Sequence, residues 1–441
     1  MKNICLIANF EKTQLFFEVT KTFNPKKIFW IVYNKKLKNY LLTKFLNKNI
    51  LYLPKILENY SNSFNESNII KLNEIINSDR SLKNNDNTNI DYLNQSYKKI
   101  KKFLVNNKIN YVFGELTWSI EILTFHICKN IKLGKVQYFN PSSVRLPLDR
   151  FNFFTDIHQS KYFIKKQKTI LKLKSKNFSN SQKEYSKYIN KISKSSNSIF
   201  YIKKLIKIIF NDYFDKNDPT RISKKNRILK FFKKKINTLF FNLISKKKII
   251  FLNRKKFVIF FLQKKPEQSM DVKGMYYDDN IKNIENIWKL IPSNYYLVIK
   301  EHPNNIGNYD KNFYKKILDK HNIYLIDPKE NFNKLVKKSE ATFSINSTAS
   351  MESSLLKIPS FTFAKSFFNE MKYSLRINTD DIIDNNLFGL ISKLKDNDRS
   401  KEDFKKLNYL KNSFEGNLFG EKLYYKSNIE NLRKAILYVC K

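Results

Sequence analysis

A chain of 441 residues, 42% hydrophobic and 15% aromatic, has the length for two or three domains with full cores and too much apolar character to be disordered. Its formal net charge of +44 invites a nucleic-acid partner, yet only nine of the 83 basic residues are arginine, the residue that base and phosphate recognition favours. A lysine excess amid abundant Asn and Ile, with 7 Gly and 10 Pro, reads instead as the imprint of an AT-rich coding sequence, and we expect no nucleic-acid partner. The charge still draws anionic substrates and an anionic membrane surface.

No apolar run approaches the ~18–20 residues of a membrane span. The opening MKNICLIANFEKTQ reads as a first strand rather than a leader peptide. Cys5, Cys128 and Cys440 are far apart and the four histidines form no cluster with them, so neither a disulfide framework nor a metal centre is expected. A cytoplasmic location follows, peripheral at the inner membrane face if the basic surface meets lipid.

In chain order, short strands are expected at Ile4–Ala8, Lys27–Tyr33, Ile50–Leu53 and Tyr111–Phe113, with amphipathic helices between them. Ser61–Asn94, rich in Asn and Ser, reads as an insertion or long loop. Phe113–Lys129 reads as a strand end, a polar turn and a buried helix, and Val136–Asn140 as a strand ending in Asn140-Pro141-Ser142-Ser143. From Lys161 to Lys256 lysine runs interleave with apolar residues at three- and four-residue spacing. These are helices with one apolar and one cationic face, either an inter-domain layer with a solvated basic side or a helix pair, Ile199–Lys248, lying on an anionic bilayer.

Beyond Phe257 the alternation is strict: strands at Phe257–Gln263, Tyr295–Lys300, Ile323–Ile326, Thr342–Ile345 and Ser360–Phe363, helices between them, and a closing helix at Asn428–Tyr438. Such alternation gives a parallel sheet covered on both faces. The expected fold class is α/β: two Rossmann-like, doubly wound domains facing a cleft, with a basic helical segment between them. The expected divisions are residues 1–160, 161–256, 257–400 and 401–441. There is no internal repeat, Walker loop or G-x-G-x-x-G.

Polar residues at the carboxyl ends of neighbouring parallel strands converge on one crevice. Lys300-Glu301-His302-Pro303 ends one such strand; Lys300 and His302 share a face, and both can donate to a phosphate. In Ser344-Ile345-Asn346-Ser347-Thr348 a strand becomes a helix, where free N–H groups and the helix dipole favour an anion. Asn346 or Ser347 also serves as the N-cap there. Glu352 lies one turn beyond Thr348 on the same helical face, placed to accept both hydroxyls of a ribose. Glu267 and Ser269, just past the first strand of this half, contact the nucleotide or the transferred group, or form a plain turn. In the first half Glu115 follows a strand and is the candidate general base, with Asp156 behind it.

These residues carry a resemblance. The stretch from about Phe257 to Phe368 resembles the bacterial capsule polysaccharide biosynthesis proteins, a group that includes enzymes transferring Kdo, a 2-keto-3-deoxy sugar acid, from CMP-Kdo. The matching elements are Gln263-x-x-Pro266-Glu267, Lys300-Glu301-His302-Pro303 and INSTASMESSLLKIPSFTFAKSFF; Phe113-Gly114-Glu115 and Asn140-Pro141-Ser142 match more weakly. Ser350 stands where the family often has Gly, and Lys357-Ile358-Pro359 where it commonly has Gly-Lys-Pro.

The resemblance implies a GT-B glycosyltransferase needing no metal or other cofactor. The CMP- or UDP-linked nucleotide-sugar would lie in the second domain and a glycan or glycolipid acceptor in the first. His302, Ser347 and Thr348 would hold the donor phosphate and Glu352 the ribose. The rivals are a nucleotide-sugar epimerase or hydrolase on the same fold, and a non-catalytic polyanion-binding protein.

Overall fold

The computed structural model describes residues 2–55, 71–82, 87–130, 136–166, 206, 217–220, 224–245, 255–397 and 407–441. The first of the two expected basic helices, residues 199–214, lies outside the described residues apart from Ile206, as do 61–70 and 83–86 of the Asn/Ser-rich stretch.

The first sheet is built from β1 (Ile4–Ile7), β2 (Ile28–Val32), β3 (Ile50–Tyr52), β4 (Tyr111–Phe113), β5 (Gln137–Ser143), β6 (Arg150–Phe154) and β13 (Phe414–Glu415), in the order β13-β6-β5-β4-β1-β2-β3. Its five strands β3-β2-β1-β4-β5 are parallel. Period-two alternation decides which way each side chain goes. Cys5 and Ile7 enter the core under the helices Leu72–Ser78, Asn87–Asn106 and Ser119–Asn130, while Ile4 and Leu6 enter the core under Phe10–Thr20 and Lys426–Val439. Each such side chain, fully buried, contributes about 1.5–3 kcal/mol.

Two local expectations change. β5 does not stop at Asn140: it pairs with β4 through Phe139, then runs on and pairs antiparallel with β6 over Asn140–Ser143. Past Phe139 its other edge has no strand beside it among the described residues, the kind of edge position where a proline is tolerated. Part of the supposed loop 61–94 is helical, because Leu72, Ile75 and Ile76 have a core to enter.

The second sheet is β7 (Phe257–Phe261), β8 (Tyr296–Lys300), β9 (Ile323–Ile326), β10 (Ala341–Ser344), β11 (Ser360–Thr362) and β12 (Ser374–Arg376). All its pairings are parallel and its order, β9-β8-β7-β10-β11-β12, is the Rossmann order. Helices start where side chains supply caps: Asp279 accepts from Ile281 and Lys282, Asp310 from Phe313, and Asn331 from Lys334.

The basic helix Lys224–Ile244 is docked on this domain. Phe241 is buried against Tyr314, and Gly307 comes so close to the helix that a Cβ there would sit 2.3 Å from Lys234 O and Thr238 Oγ1.

Residues 407–441 return to the first domain. β13 extends its sheet beside β6, Arg150 donates to Ser413 Oγ at 2.6 Å and Ser413 O at 2.9 Å, and Asn152 donates to Tyr409 O at 2.8 Å. The domains also share apolar material. Val144, Leu146 and Phe154 cluster with Met351, Phe367, Phe368 and Tyr409, and above them Tyr162 donates to Glu370 at 2.7 Å. Among the described residues no helix is long and apolar enough to cross a membrane.

Candidate active site

In the second domain the strand order reverses between β7 and β10, and a doubly wound sheet opens its crevice at the carboxyl ends of such a pair. Register fixes what lies there: Lys300, Phe261 and Ser344 are level on β8, β7 and β10. The loops that follow are stitched together. Gln263 Nε2 donates to Asn346 O at 2.9 Å and its Oε1 accepts from Asn346 N at 2.6 Å. Lys265 N donates to Asn305 Oδ1 at 2.9 Å, and Asn308 Nδ2 to Lys265 O at 2.8 Å. The His302 corner and the Ser347–Thr348 helix start therefore share one edge of the sheet, separated by two strand spacings, about 10 Å.

At this edge His302 is partly buried, and its Nδ1 accepts from Asn304 N at 3.1 Å. That bond requires an unprotonated Nδ1 and leaves the proton on Nε2, which has no hydrogen-bond partner among the described residues. Burial lowers the imidazole's pKa, with Glu267 opposing and Lys264 and Lys300 adding to the fall, so the ring favours its neutral Nε2–H form. Pro303 follows on the rim. Ser347 caps the helix Thr348–Leu355 by accepting from Ala349 N at 3.1 Å, and the Thr348 hydroxyl makes no hydrogen bond among the described residues. Glu352 lies one turn on, partly exposed. Ser269 Oγ donates to Glu267 Oε2 at 3.2 Å in the loop after β7.

Three other expected phosphate ligands are taken up in building the rim. Lys300 does not reach out beside His302. Its ammonium donates to Pro328 O at 2.6 Å, Glu330 O at 3.2 Å and Asp327 O at 3.4 Å, and burial lowers its pKa to about 8. Ser344 is fully buried, bonded to Ser350 Oγ at 2.7 Å and accepting from Ser347 N at 3.1 Å. Ser350, found where the resembling family often has glycine, thus closes the turn. Asn346 is buried, held by Gln263 and donating its own amide to Lys365 O at 3.0 Å.

The first domain has its own reversal, between β1 and β4. Asn9, after β1, donates to Glu115 Oε2 at 3.2 Å and to Glu121 Oε1 at 2.8 Å. Glu121 is fully buried and accepts also from Thr117 N and Trp118 N, fixing the start of its helix. Burial raises its pKa well above the usual carboxyl range, and Glu115 adds to the rise. Glu115 itself is 28% exposed, with Lys12 Nζ 3.7 Å from Oε1. Gly114 makes this turn possible: a Cβ there would lie 2.6 Å from the Tyr138 hydroxyl, which donates to Glu115 O at 2.8 Å.

Between the domains stands a lysine that the sequence offered no means of distinguishing from the rest. Lys273 ends a π-helical segment, Ser269–Lys273, whose Met270 enters the second core and whose Val272 enters the first. Its ammonium donates to Gln159 Oε1, and its carbonyl lies 3.1 Å from His158 Nδ1. Burial lowers its pKa to about 7, Arg145 adds to the fall, and Glu267 and Asp156 oppose it. Asp156 has a structural task beside it, accepting from Ser160 N, Ser160 Oγ and Lys161 N to close the turn after β6. Arg145 also lies in electrostatic reach of Lys12. Groups within electrostatic reach of one another thus run from His302 through Glu267, Lys273, Arg145 and Lys12 to Glu115.

Residues 155–372 match the family model described as capsule polysaccharide biosynthesis protein, the family the sequence motifs resemble. No curated protein matches the chain by sequence. Among solved structures it is similar to a beta Kdo 2,7 transferase, KpsC, of Thermosulfurimonas dismutans, at 10% identity over 100% of both chains with a TM-score of 0.41. It is similar also to Methanocaldococcus jannaschii UDP-GlcNAc 2-epimerase in complex with UDP-GlcNAc and UDP, at 12% identity over 99% of this chain and 100% of that one, with a TM-score of 0.32. A glycosyltransferase from Rickettsia africae has 11% identity over 99% of this chain and 98% of that one, with a TM-score of 0.29.

Proposed function

We propose a glycosyltransferase, on the strength of the match of residues 155–372 to the capsule polysaccharide biosynthesis family model. It moves a sugar, Kdo or another acidic one, from a CMP- or UDP-linked donor to a surface-polysaccharide or glycolipid acceptor. The observation that carries this reading is the sharing of one switch-point edge by the Nε2–H of His302, unpartnered among the described residues, the Thr348 hydroxyl and a helix start.

In the reaction the bond between the sugar's anomeric carbon and the donor phosphate oxygen breaks, and negative charge gathers on the departing nucleotide. A neutral imidazole N–H, a hydroxyl and the positive end of a helix stabilise that charge where it develops. Glu352 accepts from the ribose. The acceptor hydroxyl bonds to the anomeric carbon and gives its proton to Glu115, which Asn9 and Lys12 orient. Lys273 and Arg145, between the crevices, favour an acidic sugar. Lys300, Ser344 and Asn346 support the rim and Asp156 the turn beside Lys273; they act as positioning residues.

Membrane association has its own support. The helix Lys224–Ile244 leaves Leu229, Phe232, Ile236, Leu239 and Leu243 outward, each about half exposed or more and Leu243 83% exposed, at alternating three- and four-residue steps among Lys225, Lys230, Lys233 and Lys235. An apolar stripe edged by lysines matches the chemistry of an anionic lipid surface.

The test of the transferase is direct. Purified protein is screened by thermal shift against CMP, UDP, GDP and CDP, and donor turnover is then followed with and without acceptor. Ala at His302 or Gln at Glu352 is expected to lower transfer at least ~100-fold with melting temperature unchanged. Full activity in both variants would end the assignment, and product formed without acceptor would turn it into an epimerase or hydrolase.

A further inference from the structure

Two segments that bound the first domain's crevice bring aromatic rings together. Phe10, the first residue of the helix Phe10–Thr20 that follows β1, is 42% exposed, and its ring centroid lies 5.9 Å from that of Trp118 in the loop after β4. Phe10 also holds φ at +38°, a left-handed backbone conformation that is strained for a bulky side chain. Core packing does not account for that strain, since the side chain is 42% exposed. Beside it, Trp118 is 8% exposed and backs the Phe10 ring from the core, with the Arg80 guanidinium 4.8 Å from its ring centroid. Asn9, next to Phe10, holds Glu115 at the floor of the same crevice.

We infer that Phe10 and Trp118 form a platform for a sugar ring of the acceptor. One face of a pyranose is a set of C–H groups that packs on an aromatic ring, and its rim is a set of hydroxyls that need donors and acceptors. Phe10 supplies the apolar face, and Glu115, 28% exposed, supplies a hydrogen-bond acceptor for the hydroxyl rim. The strained backbone at Phe10 holds the ring out at the crevice mouth, where the ligand then covers it. This inference rests on the proposed glycosyltransferase only for the word acceptor; the platform itself is a saccharide site in either case.

Two variants separate binding from stability. Phe10→Gly suits a positive φ and removes the ring, so it is expected to melt at the wild-type temperature or above while losing saccharide affinity. Phe10→Tyr keeps the ring and should keep the affinity. Binding is read from Trp118 emission during titration with maltotetraose, chitotetraose and tetragalacturonate, with Trp118→Phe as the spectral control. We expect at least one of these to bind the wild type, with at least a fivefold loss in Phe10→Gly. No binding by any of the three, or equal binding to Phe10→Gly, overturns the platform. The nucleotide thermal shift, measured on the same samples, fails or holds independently and reports on the donor site alone.

Discussion

The side chain of Gln263 holds Asn346 by both of its backbone groups, accepting from N at 2.6 Å and donating to O at 2.9 Å. This pairing joins the loop after β7 to the turn that opens the helix Thr348–Leu355. Replacing Gln263 with Ala strands a buried N–H and a buried carbonyl, so a loss of about 1–3 kcal/mol is expected in denaturant unfolding. Because the turn also loosens, the stabilisation of the variant by nucleotide should fall. A nucleotide-induced shift as large as in the wild type would show that Gln263 serves stability alone.

Gly114 has no room for a side chain against the Tyr138 hydroxyl at 2.6 Å and Ile7 Cδ1 at 2.9 Å. Gly114→Ala is expected to cost about 1–3 kcal/mol through forced displacement of these groups. In a Tyr138→Phe background the hydroxyl is gone, and the cost of Ala should shrink measurably in a double-mutant cycle. Strict additivity would place the conflict elsewhere.

Glu301 is buried, accepting from Tyr314 and, at 2.8 Å, from Asn305, and burial raises its carboxyl to about 7 from 4.5. The folded chain therefore binds this proton more tightly than the unfolded chain. The stability it contributes is complete below about pH 4.5 and is lost as pH rises toward 7, on the order of 3 kcal/mol in all. Glu301→Gln should remove that slope from the pH dependence of unfolding free energy. A parallel pair of curves for wild type and variant would refute the assignment.

The outward stripe of Lys224–Ile244 predicts stronger sedimentation with phosphatidylcholine vesicles containing phosphatidylglycerol than with phosphatidylcholine alone. Ile236→Asp and Leu243→Asp, at positions 66% and 83% exposed, should weaken that binding with little effect on melting temperature. Equal binding of the wild type to both vesicles would remove the membrane surface from the proposal.

Apart from β12, the parallel strands were readable because their apolar runs are short, buried on both faces and punctuated by caps: FVIFF and YLVIK fall where β7 and β8 lie. The antiparallel additions β6 and β13 were not, since Arg150–Phe154 and Phe414–Glu415 acquire their pairing only across the fold. Polar strand ends had the same ambiguity. His302 and Lys300 looked alike as phosphate donors, but the carbonyls that claim the Lys300 ammonium come from residues 327–330, and no local pattern announces them. Lys273 gains its low pKa and its bond to Gln159 by burial between domains, which spacing along the chain does not encode.

Because residues 407–441 rejoin the first domain after the second is complete, the polypeptide passes between the two halves twice. The first domain is therefore assembled from segments on either side of the second in the sequence, and its sheet is complete only once the second domain has been made. Expression of residues 1–166 alone would leave β6 without β13 and the helix Phe10–Thr20 without its cover.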